Sequence, residues 1–202
     1  MVISYPFAYF ISIQKPRLRA VLLLMTVVTM WVSVLVRTYA WMVVLGKEGL
    51  MNSAMQSLGI IDQPMQLIFT RGAVYLAMVQ ILLPITILAT YSGMVSFDRT
   101  YYLASRILGA TPIKAFLTVY LPMTISGVAS GGLLVLLLSL GFFITPAMVG
   151  GPNDMLISNI ISNEVTQTMN WNLAAALSLV LLIIGAMLVA IFLYVFKKIA
   201  RI

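Results

Sequence analysis

Long uncharged apolar segments, separated by short charged ones, dominate the pattern of this chain. A helix needs roughly 20 mostly apolar residues to cross the hydrocarbon core of a bilayer, which is about 30 Å thick. Four segments are long enough, at about residues 18–45, 72–97, 123–144 and 173–196. The pattern therefore predicts an all-α, polytopic transmembrane helical bundle.

The first residues, 1–14, are also apolar but too short to cross. A signal peptide carries its positive charge ahead of the apolar stretch, whereas here Lys15, Arg17 and Arg19 follow it. We interpret 1–14 as the remnant of a transmembrane helix, left by a misplaced start or a truncation. Residues 15–202 are expected to form a single membrane domain.

The amino-acid composition excludes several kinds of site chemistry. Only 8% of the residues are charged, against roughly 25% in a soluble domain. The chain has no Cys and no His, which excludes thiolate chemistry and removes the commonest general base and transition-metal ligand. We expect no catalytic residues and no metal site, and therefore a membrane protein that is not an enzyme.

Basic residues are distributed unevenly between the two sides that four spans would define. Nine lie on the side of residues 98–121: Lys15, Arg17, Arg19, Arg99, Arg106, Lys114, Lys197, Lys198 and Arg201. The other side has only Arg37, Lys47 and Arg71. Because cytoplasmic loops carry the excess of Lys and Arg, we place 98–121 and the C-terminus in the cytoplasm of a multi-pass bacterial inner-membrane protein. The excess of basic residues that gives the net charge of +7 is then explained by the cytoplasmic loops. We therefore expect no nucleic acid as a partner.

The cytoplasmic loop has its own helix signals. Residues 100–108 are mostly good helix formers, and Gly109 can end such a helix in a left-handed conformation. Thr111 suits the N-cap of a second helix, with Pro112 at its first position.

This second helix is predicted to stop before Pro122. The loop 98–121 thus reads as two short helices meeting at a bend on the membrane surface. An ordinary interfacial amphipathic loop is the alternative that these residues leave open.

The loop resembles the EAA motif of type I ABC-importer permeases, whose pattern is E-A-A, three residues, G, nine residues and I-x-L-P. Here Leu103-Ala104-Ser105 stand at E-A-A, Gly109 at G and Val119-Tyr120-Leu121-Pro122 at I-x-L-P. The resemblance implies a coupling helix that sits in a groove of a cytoplasmic ATPase. It assigns the docking to Leu103, Ala104, Ser105, Arg106, Gly109, Ala110 and Pro112.

Other segments are similar to the polyamine-type (spermidine/putrescine) subgroup of these permeases. They are residues 36–41, 141–147, 150–152 and 170–178, so that the resemblance covers nearly the whole chain. Two departures stand out. Members of the family usually have six spans, and Leu103 replaces the Glu of the motif, which removes a charge from the docking surface.

The resemblance also implies the partners. None of the three non-terminal lysines Lys15, Lys47 and Lys114 lies in a G-x-x-x-x-G-K-[ST] pattern, so we expect no cofactor in this chain and ATP bound by a partner. The expected assembly has an ABC ATPase dimer, a second permease, identical or paralogous, and a periplasmic or extracellular substrate-binding protein. Alternating access would couple ATP hydrolysis to transport through the lipid bilayer.

Substrate contacts are expected from polar or aromatic residues on inward faces of the spans, with Gln80, Tyr91 and Phe142 as candidates. The aromatic residues near the span ends have a simpler interpretation as an interfacial belt: Trp31, Tyr39, Trp41 and Trp171. Gly127 and Gly131 form a small-xxx-small pair, which favours close helix packing.

Three rival interpretations remain. A membrane enzyme would need clustered polar groups within the spans. A channel or secondary transporter usually shows intramembrane ionisable residues, and the predicted spans lack acidic ones. A truncated, nonfunctional permease fragment is the third.

Overall fold

The computed structural model describes the backbone of residues 1–199 and the side chains of residues 1–195. This part of the chain is helical and contains no strand, as the apolar pattern predicts. The basic tail formed by Lys197, Lys198 and Arg201 lies outside the described side chains. The helices are α1 Ser4–Ile13, α2 Pro16–Trp31, α3 Val34–Leu45, α4 Leu50–Ser57, α5 Arg71–Val95, α6 Arg99–Ile107, α7 Pro112–Ala115, α8 Leu121–Leu140, α9 Ile144–Val149, α10 Ile157–Thr166 and α11 Trp171–Ile199, with a π-helical segment Phe116–Tyr120 between α7 and α8.

Three helical segments of the described chain are long and apolar enough to cross a membrane: Arg71–Val95, Pro112–Leu140 and Trp171–Val195. A fourth candidate is the broken pair Pro16–Trp31 and Val34–Ser57. The segment predicted as one span at 18–45 is therefore not one helix.

The break between α2 and α3 lies at Val32–Ser33, where the sequence has no Pro or Gly that would predict it. At this point the Nε of Arg37 donates to the carbonyl oxygen of Val32 at 3.1 Å. A side chain further along the chain thus satisfies a carbonyl that the helix no longer uses, which lowers the cost of the break.

The prediction that a helix stops before Pro122 is wrong, because α7, the π-helical segment and α8 follow one another without a gap. Proline lacks the N–H of a helical bond and crowds the carbonyl four residues earlier. Immediately before Pro122 the N–H of Leu121 bonds the carbonyl of Phe116, five residues back. This wider π turn gives the ring room, as single π turns inside α-helices often do.

The predicted end of this span, at residue 144, is also too late. Helix α8 ends at Leu140, and the short helix α9 follows after Gly141 to Phe143. The carbonyls of Phe142 and Phe143 in this connection accept hydrogen bonds from Ser158 Oγ at 2.6 Å and Asn159 Nδ2 at 2.7 Å. Helix α10 therefore holds the connection in place.

The described chain divides into two compact units. One consists of Met1–Trp31 and Leu82–Val135, and its helices α5 and α8 meet at Gly93 and Gly127. A Cβ on Gly127 would lie 2.7 Å from Gly93 Cα, and a Cβ on Gly131 would lie 2.8 Å from Ala89 Cβ. The close helix packing predicted for the small-xxx-small pair is confirmed.

The other unit consists of Val32–Ile81 and the chain from Leu136 onward. Its core contains Leu45, Ala73 and Val149, with Trp41 packed against them. Trp41 is half-buried against this core, and its place in an interfacial belt stays a prediction. The belt interpretation suits Trp31, Tyr39 and Trp171 better, because each of these side chains is exposed.

Two polar clamps order the loops of this second unit. The fully buried Asn52 donates to the carbonyls of Gly46 and Met65 and accepts from the Met65 N–H, all at 2.9–3.0 Å. Arg71 Nε donates to Asp154 Oδ1 at 2.9 Å, and this Asp154 side chain is 12% exposed. Neither clamp is visible in the sequence, because each joins residues distant along the chain.

We expect Gly127→Val to destabilise the protein by about 1–3 kcal/mol, because the added side chain has only backbone to displace. Gly185→Val is the matched control, since a Cβ there meets its nearest atom at 3.9 Å. Thermal unfolding in detergent, followed by circular dichroism, measures both. Equal melting temperatures of the two variants would contradict the assigned packing.

Candidate coupling site

Helix α6 begins with a side-chain cap. Asp98 has extended backbone and its Oδ1 accepts the Thr100 N–H at 2.9 Å. Hydrogen bonds from the Thr100 side chain and backbone lower the pKa of the Asp98 carboxyl. The cap is therefore fully formed when the pH is above the ordinary Asp pKa of about 3.9. It is lost only as the pH falls through the lower pKa of the folded protein.

Gly109 ends α6 in the conformation that the sequence predicts. Its φ is +91°, in the left-handed region that side chains disfavour. The Ala110 N–H reaches back to the Ser105 carbonyl at 3.1 Å, and the Gly109 N–H reaches the Arg106 carbonyl at 3.1 Å. These two bonds form a Schellman motif, which satisfies the last carbonyls of the helix.

The next helix begins within two residues of this bend. Thr111 Oγ1 accepts the Lys114 N–H, and Pro112 occupies the first turn, as predicted. Arg106 Nη1 donates to the Ala110 carbonyl at 2.7 Å, across the bend. The Arg106 side chain and the two caps thus fix the angle between α6 and α7 with local bonds.

The surface of this bend is apolar. The side chains of Leu103, Ile107, Leu108 and Ile113 are 58%, 86%, 88% and 73% exposed; we call these four residues the apolar tip. Leu103 and Ile107 are four residues apart on α6 and therefore lie on one face of the helix. Sequence reasoning assigned Leu103 to docking and missed the other three, although their spacing was a readable signal.

The remaining residues assigned to docking have different environments. Ala104 and Pro112 are exposed, whereas Ser105 and Ala110 are half-buried. The Ser105 hydroxyl donates to the Tyr102 carbonyl at 2.7 Å, and so supports the helix. The structure brings all seven assigned residues into one continuous bend.

Aromatic rings form the base of residues 98–121, which we call the coupling segment after the family resemblance. Tyr120 contacts Phe97 and Tyr9 edge-to-face, with ring centroids 4.9 and 5.4 Å apart, and stacks on Phe116 at 5.4 Å. Tyr9 also contacts Phe116 edge-to-face at 5.4 Å. These four rings, which we call the aromatic base, connect the π-helical segment with α1 and the end of α5. Sequence reasoning missed them.

The three residues predicted to line a substrate path have different environments. Gln80 Oε1 accepts from Trp41 Nε1 at a long 3.4 Å. Tyr91 is half-buried on α5, and Phe142 is half-buried in the connection between α8 and α9. Their role stays a prediction.

Comparisons with known proteins identify the family of the chain. A family model described as "Binding-protein-dependent transport system inner membrane component" matches residues 4–201. The chain is 35% identical over 192 residues to the spermidine/putrescine transport system permease protein PotB of Haemophilus influenzae, covering 95% of this chain and 67% of that protein. PotB of Escherichia coli is 32% identical, with 95% and 70% covered. The Escherichia coli inner membrane ABC transporter permease protein YdcU is 30% identical, with 94% and 64% covered.

The fold also has solved counterparts. A bacterial ABC transporter that imports the acidic polysaccharide alginate matches with a TM-score of 0.77 and 15% identity, over 98% of this chain and 72% of that one. The same kind of transporter in complex with a pentasaccharide-bound periplasmic protein matches with a TM-score of 0.76. Together with the apolar spans and the EAA-like bend, the family match shows that this chain belongs to the binding-protein-dependent inner-membrane components, the multi-pass permease subunits of ABC importers.

Proposed function

We propose that this permease subunit imports polyamines of the spermidine/putrescine type and that residues 98–121 couple it to a cytoplasmic ATPase. The proposal of a polyamine substrate rests on the 32–35% identity to PotB proteins over 95% of the chain. The observation that carries the coupling role is the apolar tip, an exposed surface held rigid by local bonds.

The charge distribution supports an orientation with this bend in the cytoplasm. Arg99, Arg106 and Lys114 belong to the bend, whereas Glu48 and Asp154 belong to loops on the other side of the spans. A cytoplasmic bend is where an ATPase can reach it. We therefore infer an assembly of an ATPase dimer, a second permease that is identical or paralogous, and an external substrate-binding protein.

Docking in this chain relies on apolar contact more than on charge. Leu103 stands where the family motif has Glu, and with Ile107 it extends an apolar stripe along α6. Leu108 and Ile113 continue this surface around the bend. A complementary ATPase groove would bury these side chains, and each buried Leu or Ile contributes roughly 1.5–3 kcal/mol.

The spans recognise a polyamine without a carboxylate. None of the helices Arg71–Val95, Pro112–Leu140 and Trp171–Val195 contains Asp or Glu. Gln80, Tyr91 and Phe142 remain the proposed contacts, since carbonyl oxygens and aromatic faces attract an ammonium group. Selection of the substrate would then rest mainly on the binding protein.

Docking is tested by Leu108→Asp, tagged at the C-terminus and purified from native membranes in mild detergent. We expect the unmodified chain to bring a Walker-A ATPase and a second permease. The variant should lose the ATPase, because a carboxylate cannot enter an apolar groove without a partner. Leu58→Asp is the control and should retain it, because Leu58 is 73% exposed and lies outside residues 98–121. Purification of the unmodified chain alone would overturn the coupling role and favour a nonfunctional fragment.

Gly109 tests the geometry of the bend separately from its surface. A Cβ at Gly109 meets no atom within 4 Å, so substitution acts only through the backbone angle. We expect Gly109→Val to abolish uptake while membrane insertion survives, at a local cost of roughly 1–2 kcal/mol. Gly109→Asn should retain part of the uptake, because Asn tolerates left-handed backbone better. Uptake by Gly109→Val equal to that of the unmodified chain would show that the bend does not matter.

The substrate is tested by uptake of labelled spermidine and putrescine in cells that lack other polyamine importers and express this permease with its ATPase and binding protein. We expect uptake that stops when the ATPase Walker lysine is changed to Ala. Uptake that responds only to ionophores would identify a secondary transporter. A working importer that leaves both polyamines outside would overturn the substrate assignment while keeping the coupling role.

A further inference from the structure

A cavity of about 270 Å³ lies in the unit formed by Met1–Trp31 and Leu82–Val135, close to the start of the coupling segment. Its lining includes two guanidinium groups, two hydroxyl groups and the apolar end of α5: Arg19, Arg99, Ser12, Tyr120, Met94 and Val95. The cavity has room for more than one water, whose share of liquid volume is about 30 Å³. None of these residues belongs to the apolar tip or to the proposed substrate path.

The Arg19 side chain is only partly satisfied. Its Nη2 donates to the Gln14 carbonyl at 3.0 Å, whereas its Nε is buried and has no hydrogen-bond partner. A buried donor of a charged group that lacks an acceptor is costly, and native structures rarely leave one so. Because this Nε has no accessible surface, an acceptor in the cavity would meet Arg19 through the N–H groups at the end of its guanidinium.

The charged groups that line the cavity are positive and would attract an anion. Arg19 and Arg99 line it together with no Asp or Glu among the lining residues. The nearest carboxylate in sequence, that of Asp98, is occupied by the Thr100 cap. Guanidinium groups bind phosphate with paired, charge-assisted hydrogen bonds. The Ser12 hydroxyl already donates to the Tyr9 carbonyl at 2.8 Å, so the two arginines are the anion-binding groups of this lining.

We propose that this cavity binds a phosphate group, and that the headgroup of an acidic phospholipid supplies it. Val95 is the last residue of the span α5 and is 57% exposed, so the cavity lies where headgroups meet hydrocarbon. The cytoplasmic leaflet carries the anionic lipids that basic membrane-edge segments attract. The lipid source depends on the orientation proposed above, whereas the anion chemistry does not.

The test measures melting of the full chain, purified with the subunits that accompany it, during titration with phosphatidylglycerol or phosphatidylcholine in detergent. We expect saturable stabilisation by phosphatidylglycerol alone. R19Q and R99Q should each raise the half-saturating concentration about tenfold, which corresponds to about 1.4 kcal/mol. R17Q is the matched control: Arg17 is exposed in the same basic stretch, does not line the cavity and should change the value less than twofold.

Three results would count against the proposal. An R17Q shift as large as that of R19Q would indicate general attraction to a basic surface. Equal stabilisation by both lipids, unchanged in R19Q, would exclude recognition of the anion. Saturable stabilisation by inorganic phosphate but not by phosphatidylglycerol, lost in R19Q, would keep the anion site and overturn the lipid source.

Two further features keep the test decisive. Arg99 is exposed, so R99Q still reports where R19Q fails to fold. R19K keeps the charge and loses the planar fork, and it should bind with intermediate affinity. Lipid binding is scored without ATP or substrate, so a chain that neither couples nor imports polyamine still gives an answer.

Discussion

The bilayer's inability to hydrogen-bond the backbone is the constraint on which the rest of the structure depends. Helices satisfy that constraint internally, and every departure from a helix needs a partner from elsewhere in the protein. Arg37 supplies one at the carbonyl of Val32, and Asn159 supplies another at the carbonyl of Phe143. The polar side chains in this apolar chain are therefore placed mostly where the backbone requires them, which leaves few for any other chemistry.

In the coupling segment, by contrast, the backbone groups at the helix ends are satisfied by residues that are close in sequence. The shape of its bend comes from neighbours in sequence: the Asp98 cap, the left-handed Gly109, the Thr111 cap and the Arg106 clamp. Local bonds of this kind leave apolar side chains free to remain exposed. A surface that is rigid, apolar and exposed is well suited to insertion into a partner, because little conformational entropy is lost on docking.

The same distinction separates what the sequence predicts from what it does not. The caps at Gly109 and Thr111 were predictable, since capping depends on residues within a few positions of each other. The continuation of the helix through Pro122 was not, because it depends on the π turn before it. The packing of Trp41 against Ala73 and Val149 was not predictable either, because these contacts come from distant parts of the chain.

Leu103 shows how a departure from a family pattern can be consistent with the local structure. A Glu at this position would place a carboxylate four residues before Ile107, on the same face of α6. Leu instead joins that face, and it also keeps the helix propensity of the position. The charge lost from the motif is thus matched by a gain in apolar area. In the docking proposed above, an ATPase groove would therefore meet Leu103 with an apolar surface.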